Sequence, residues 1–186
     1  GVAENQFPAI VKTELQMIKD ACREMGDYAA EYSPPVTLII VQKRHRTRFF
    51  PVNGECDRSG NVLAGTVVDT EICDPHHHDF YMVSHSGIQG TSSSVHYHVL
   101  VDENGFSPDC LQLLTYRFCH LYCRATRSVS MPPPAYYAHL AAFRGRLLLN
   151  MDDVSSDGRT DRSGEEDDHF QMEDVHQAIK STMFYV

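Results

Sequence analysis

The chain has 186 residues, 42% of them hydrophobic, and a formal net charge of −9. That length suits one domain with a core of its own, and no apolar run is long enough for a membrane-spanning helix. The acidity argues against a nucleic-acid binder only until it is mapped. Residues 1–151 hold 13 Lys+Arg against 15 Asp+Glu, a net of −2, whereas residues 152–186 hold 3 against 10, a net of −7. Local clusters, not the total, set the field that a phosphate meets.

Gln6 to Met25 carries apolar residues at Phe7, Ile10, Val11, Leu15, Ile18 and Cys22. This is helical spacing, and Gly26-Asp27 is a suitable stop. Pro34-Pro35 then leads into Val36–Val41, a β-branched run that predicts a strand buried on both faces. Helix followed by buried strand is the pattern of a layered α/β domain.

The strand runs into Lys43-Arg44-His45-Arg46-Thr47-Arg48, with four Lys/Arg in six residues. Continued strand geometry would place Arg44, Arg46 and Arg48 on one face and Lys43, His45 and Thr47 on the other. Contact with a phosphate backbone is the favoured reading. The alternative is a strand end dressed with charge to resist edge pairing.

Asn53 to Gly65 reads as a loop, and Thr66–Asp69 and Phe80–Val83 as short strands. Between them His76, His77 and His78 follow Pro75 in a turn. Adjacent histidines alternate direction, which favours a solvated loop over a metal site. Ser84 to Ser94 is crowded with hydroxyls, one amide and one imidazole, and Gly87 and Gly90 permit close backbone approach. His96–Val101 is a further strand.

Ser107-Pro108-Asp109 is a helix start, with serine at the cap and proline just inside. Leu111, Leu114, Thr115, Phe118, Cys119 and Tyr122 give that helix its apolar face. It delivers Arg124 and Arg127 to a proline hinge, and a second helix is expected from about Pro134. On it His139 and Arg144, five residues apart, point about 140° away from one another. Residues 150–172 are expected to be an acidic mobile loop, and residues 173–186 a closing C-terminal helix.

The six cysteines are Cys22, Cys56, Cys73, Cys110, Cys119 and Cys123. They form no CxxC pair and, with no secretory signal in the sequence, are expected to be reduced thiols. The protein is therefore placed in the cytoplasm, with the nucleus as the alternative. Cys119, His120 and Cys123 with the His triplet raise zinc, but an i,i+4 thiol pair in an apolar helix is more commonly buried packing.

Several motifs occur together and in order: Val41–Arg48, Ala64–Asp69, Asp79-Phe80-Tyr81, Ser84–Thr91, His96-Tyr97-His98, Arg127–Ser130 and Tyr136-Tyr137-Ala138-His139. In these the chain resembles the C-terminal part of the PIWI domain of eukaryotic Argonaute proteins, from Gly1 to Val186. The resemblance implies an α/β, ribonuclease-H-like fold, a mixed sheet flanked by helices with its N-terminal strands missing. It also implies small-RNA-guided silencing. Arg124, Ser130, Tyr136 and Arg144 would hold the 5′ end and first phosphates of a guide RNA, and His85, Gln89 and Thr91 would line the nucleic-acid channel. Lys43, Arg44, Arg48, Tyr122 and Arg127 complete the expected RNA-binding set.

In slicing Argonautes the histidine matched by His139 completes a tetrad that binds Mg²⁺. The two aspartates and the glutamate match nothing here. One of those aspartates would stand immediately before Gly1, so the chain alone is not expected to cleave RNA. Expected partners are guide and target RNA, the MID and PAZ domains of a parent chain, and tryptophan-bearing silencing cofactors. The competing reading is a binding module that silences through partners and never cuts. A small metal-dependent protein unrelated to RNA is a third.

Overall fold

The computed structural model describes residues 2–24, 32–148 and 174–186. The expected helix stop at Gly26-Asp27 and the acidic loop at 150–172 lie outside the described residues. The chain divides into two compact units, Gly1–Pro133 and Pro134–Val186.

In the first unit the opening helix is not continuous. A 3-10 turn at Glu4–Gln6 precedes α1 (Phe7–Lys12), and α2 (Glu14–Glu24) follows after Thr13. The Thr13 hydroxyl donates to the Ala9 carbonyl at 2.6 Å. A β-branched residue that bonds back one turn weakens helical geometry at that position.

Four strands follow: β1 (Thr37–Gln42), β2 (Thr66–Val68), β3 (Asp79–Val83) and β4 (Val95–Asp102). They form one sheet in the order β1-β4-β3-β2. The three pairings are all antiparallel, so these strands supply no parallel pair of the expected mixed sheet. β1 stands at one edge, and its residues are half-buried rather than buried on both faces. The run of β-branched residues signals strand, but an edge strand has a neighbour on one side only.

The sheet's two faces differ in chemistry. Phe80, Met82, Val95 and Tyr97 form the core on one face, with the Phe80 and Tyr97 rings stacked at 4.9 Å. Tyr116 of α3 (Pro108–Phe118), together with Met131, packs on that cluster. Alternation sends His96 and His98 to the opposite face, where the Phe7 ring of α1 lies 5.0 Å from His98. Helices therefore pack against both faces, and the α/β class holds.

α3 starts as the sequence predicts, with the Ser107 hydroxyl accepting from the Cys110 N–H at 3.3 Å and Pro108 at its first position. Its buried stripe is Leu111, Gln112, Thr115 and then Cys119 at the cap. Phe118 is 42% exposed and does not belong to the apolar face assigned to it. The helix ends before Cys119, so Cys119 is a buried thiol, whereas Cys123 lies beyond the helix and is exposed.

In the second unit the expected helix is α4 (Pro133–Leu147). Residues 174–186 form separate turns rather than the expected closing helix. Their backbone bonds span three residues, from Ile179 to His176, from Thr182 to Ile179 and from Val186 to Met183. The His176 ring accepts from Ala178 N–H, and the Thr182 hydroxyl donates to the Ile179 carbonyl. Such local bonds offer the backbone an alternative to a helical ladder. The Tyr185 ring nevertheless packs 6.4 Å from Tyr137 of α4.

Candidate nucleic-acid interface

β1 stops at Gln42, and Lys43–Phe50 continues as irregular chain. Alternation of exposure survives the loss of strand geometry: Arg44, Arg46 and Arg48 are exposed, while His45, Thr47 and Phe49 are half-buried. Phe49 and His45 pack edge-on to the Tyr81 ring at 5.7 and 5.4 Å. Those apolar contacts fix every second residue and leave the guanidinium groups facing water. Arg48 departs from its expected role in part, since its Nη1 donates to the carbonyls of His45 (3.1 Å) and Thr47 (2.8 Å). It shapes its own loop.

The geometry joins three of the sequence-predicted segments. Lys43 Nζ donates to Ser130 Oγ at 2.7 Å, across 87 residues of chain. The Ser84 hydroxyl donates to the Val129 carbonyl at 2.7 Å, and Val129 N–H donates to the Cys119 carbonyl at 2.8 Å. The end of β3 and the end of α3 thereby hold the strip that carries Ser130. Ser94 Oγ donates to the Thr47 carbonyl at 3.5 Å, which ties the basic loop to the start of β4.

His85 lies within the field of Lys43. Burial first, and then the Lys43 charge, lower its pKa below the ordinary histidine value. Its Nδ1 is buried without a hydrogen-bond partner. A neutral imidazole there can donate or accept a hydrogen bond, and the positive charge of the seam resides on Lys43.

The polar loop 84–94 owes its form to a residue that the sequence reading passed over. Asn61, 4% exposed, donates from Nδ2 to the Gly90 carbonyl (3.0 Å) and accepts at Oδ1 from Ser92 N–H (2.8 Å). Asp57 Oδ1 accepts from the N–H groups of Ser59 and Asn61 and so shapes the turn that presents Asn61. Ser59 Oγ donates to the Gly87 carbonyl at 3.1 Å. A β-carbon on Gly87 would stand 2.8 Å from Ser92 Oγ and 3.1 Å from Asn61 Nδ2, so only glycine fits without displacement. The available signal was an asparagine inside a Gly/Asp/Ser-rich turn, which marks turns in general and nothing further. With the loop so pinned, Gln89 and Thr91 stand exposed at its tip.

Arg124 and Arg127 are exposed in the turn after α3, and Tyr122 is half-buried there. In the second unit His139 and Arg144 are exposed on α4, and Tyr136 is half-buried. The first unit thus gathers Lys43, His85 and Ser130, with Arg44, Gln89, Thr91, Arg124 and Arg127 open to solvent on its loops. The second unit presents Tyr136, His139 and Arg144 on one helix.

Exposed Arg and Lys stand here beside hydroxyls and close-approach glycines, groups that can donate to phosphate and ribose oxygens. Comparisons with known proteins give the family. The Piwi domain family profile matches residues 1–150. The chain is 49% identical over 194 residues to Protein argonaute 12 of Oryza sativa subsp. japonica, covering 100% of this chain and 18% of that protein. It is 48% identical over 192 residues to Protein argonaute 5 of Arabidopsis thaliana, covering 100% of this chain and 19% of that protein. It therefore spans about a fifth of the length of these relatives. The fold is similar to the C-terminal lobe of a budding yeast Argonaute, with TM-score 0.74 and 37% identity over 78% of this chain and 31% of that one. It is also similar to Kluyveromyces polysporus Argonaute with a guide RNA, with TM-score 0.72 and 39% identity over 78% of this chain and 18% of that one. With the profile matched along most of its length and about half its residues shared with plant Argonautes, the chain belongs to the Piwi domain family, and its fold is similar to part of an Argonaute C-terminal lobe.

Proposed function

We propose that this chain is the part of an Argonaute PIWI domain that grips the backbone of a guide RNA for small-RNA-directed silencing. The single observation that carries the reading is the bond from Lys43 Nζ to Ser130 Oγ. It puts an ammonium and a buried-side hydroxyl, drawn from two separate Argonaute-like motifs, at one point of the surface. One of three ammonium donors is used by Ser130, which orients the group and leaves two for phosphate oxygens. His85 adds a neutral donor or acceptor beside it. Arg44, Arg124 and Arg127 supply positive charge from exposed loops, and Gln89 and Thr91 offer side-chain donors to ribose and phosphate.

Tyr136 and Arg144 extend the same chemistry along α4, where a guanidinium fork suits a terminal phosphate. The partners would be guide and target RNA, together with the MID and PAZ domains of the same protein. A longer Argonaute would work in the cytoplasm.

His139 offers one imidazole nitrogen from an exposed helix position. Mg²⁺ takes oxygen ligands in near-octahedral geometry, so the single imidazole of His139 does not by itself fit that ion. In a slicing Argonaute His139 would complete a ligand set whose carboxylates these residues do not supply. The test is binding of a 5′-phosphorylated single-stranded RNA to the protein at fixed salt. Lys43→Met and Arg144→Glu should each weaken binding, the second more for the phosphorylated than for the unphosphorylated strand. Affinity unchanged in both variants would refute the reading.

A further inference from the structure

We infer that the sheet face opposite the core carries a binding site for a zinc-class divalent cation, built from Asp79, His96 and His98. Histidines two apart on β4 project to one face, and Asp79 is the direct cross-strand partner of His98 on β3. The three side chains offer one ligand atom each, all within 4.8 Å of one another. Asp79 and His96 are buried. Two imidazoles and a carboxylate are a borderline-soft donor set that suits Zn²⁺, Co²⁺ or Ni²⁺ far better than Mg²⁺.

Two further observations point to a ligand rather than to packing alone. The Asp79–His96 contact, Oδ2 to Nε2 at 2.5 Å, satisfies those two groups and leaves His98 out. His98 Nε2 is buried with no hydrogen-bond partner, although its ring lies 3.9 Å from that of His96. A buried ring nitrogen left without a partner calls for an account. The carboxylate is also pre-oriented: Asp79 Oδ1 accepts from Asp74 N–H at 2.8 Å, which turns Oδ2 toward the histidines. Holding a ligand in place through its other oxygen is what outer-shell bonds do at metal sites.

Around the cluster the Tyr81 ring stacks on His96 at 3.9 Å and the Phe7 ring covers His98 at 5.0 Å. These apolar walls would limit water and help select a cation that sheds its hydration. Binding replaces the Asp79–His96 hydrogen bond, so their contact opens from 2.5 Å to about 3.4 Å, the separation of two ligands about 2.1 Å from one tetrahedral ion. The ion would clamp β3 to β4 beneath α1, a structural task separate from any RNA contact.

The test uses the full-length protein after chelation and dialysis. Cobalt(II) added alone should give visible d–d bands that saturate at one equivalent and are erased by zinc(II). His98→Gln should lower cobalt affinity at least about 100-fold, since even outer-shell losses cost 10–100-fold. A variant with His76 and His77 both changed to alanine should bind as before, which separates this site from those two exposed histidines. Should His98→Gln fail to fold, Asp79→Asn carries the same expectation, checked first for an unaltered circular-dichroism spectrum in chelator. Absence of bands at one equivalent, or bands lost only when His76 and His77 are changed, would overturn the proposal.

Discussion

Replacing Asn61 with alanine tests whether the polar loop is held by one buried amide. The side chain makes two bonds, to Ser92 N–H at 2.8 Å and to the Gly90 carbonyl at 3.0 Å. Ser92 is 6% exposed, so its N–H would be left dry and unpaired, at a cost of about 1–3 kcal/mol. Gly90 is exposed and its carbonyl can turn to water, so the second bond adds about 0.5–1 kcal/mol. A loss of about 1.5–4 kcal/mol follows, which at roughly 2–4 °C per kcal/mol lowers the Tm by about 3–16 °C. The Ser92 amide should exchange with deuterium markedly faster than the amides of β4. A second substitution makes the reasoning specific. Gly87→Ala puts a β-carbon against Asn61 Nδ2 and Ser92 Oγ, and Asn61 cannot retreat without giving up its bonds. Its penalty should therefore be smaller in the Asn61→Ala background than in the unaltered protein. Additive penalties, or a Tm within about 1 °C of the parent for Asn61→Ala, would refute the account.

Lys43→Met should lower the slope of log affinity against log salt for single-stranded RNA by about 0.7, because one phosphate contact is removed; an unchanged slope in a fluorescence-anisotropy titration would show that Lys43 serves the fold alone. His45, His85 and His98 all have pKa values lowered chiefly by burial, so the folded chain binds fewer protons than the unfolded one. Their contribution is therefore complete above the unfolded value near 6.5 and is lost as pH falls from there through the lower folded values, so the urea midpoint should drop between pH 7.5 and pH 5.5. Ser107→Ala removes the cap of α3 and should cost about 1 kcal/mol, read as a small fall in urea midpoint at unchanged m-value.

Much of the fold is legible because each element carries its own local reason. Ser107-Pro108 specifies a helix start whatever surrounds it, and the β-branched run before Gln42 specifies a strand. Neighbour relations are not local. That β1 lies at an edge, and is consequently half-buried, depends on which strand it pairs with, and that partner is β4, some sixty residues away. The C-terminal turns failed as a helix for a related reason. Periodic apolar residues were present, but His176 and Thr182 bond to nearby backbone, a competition that hydrophobic spacing does not register.

At the interface, chemistry was legible residue by residue, while the division of labour was not. Composition identifies Lys43–Arg48 as basic, yet it cannot say that Arg48 spends donors on two carbonyls while Lys43 reaches Ser130. Nor can it say that burial, and after it the charge of Lys43, lowers the His85 pKa. That outcome follows from the fold: covering an imidazole disfavours its charged form, and a neighbouring cation disfavours it further. The same rule bears on His96-Tyr97-His98. Read as a strand, the two histidines look like polar residues turned to water. In the fold that side of the sheet lies under Phe7 and α1, so His96 is buried against Asp79 and His98 is half-buried beside it, its Nε2 without a hydrogen-bond partner. A hydropathy pattern states which residues share a face; the chain that covers the face decides whether they meet solvent, one another, or an ion.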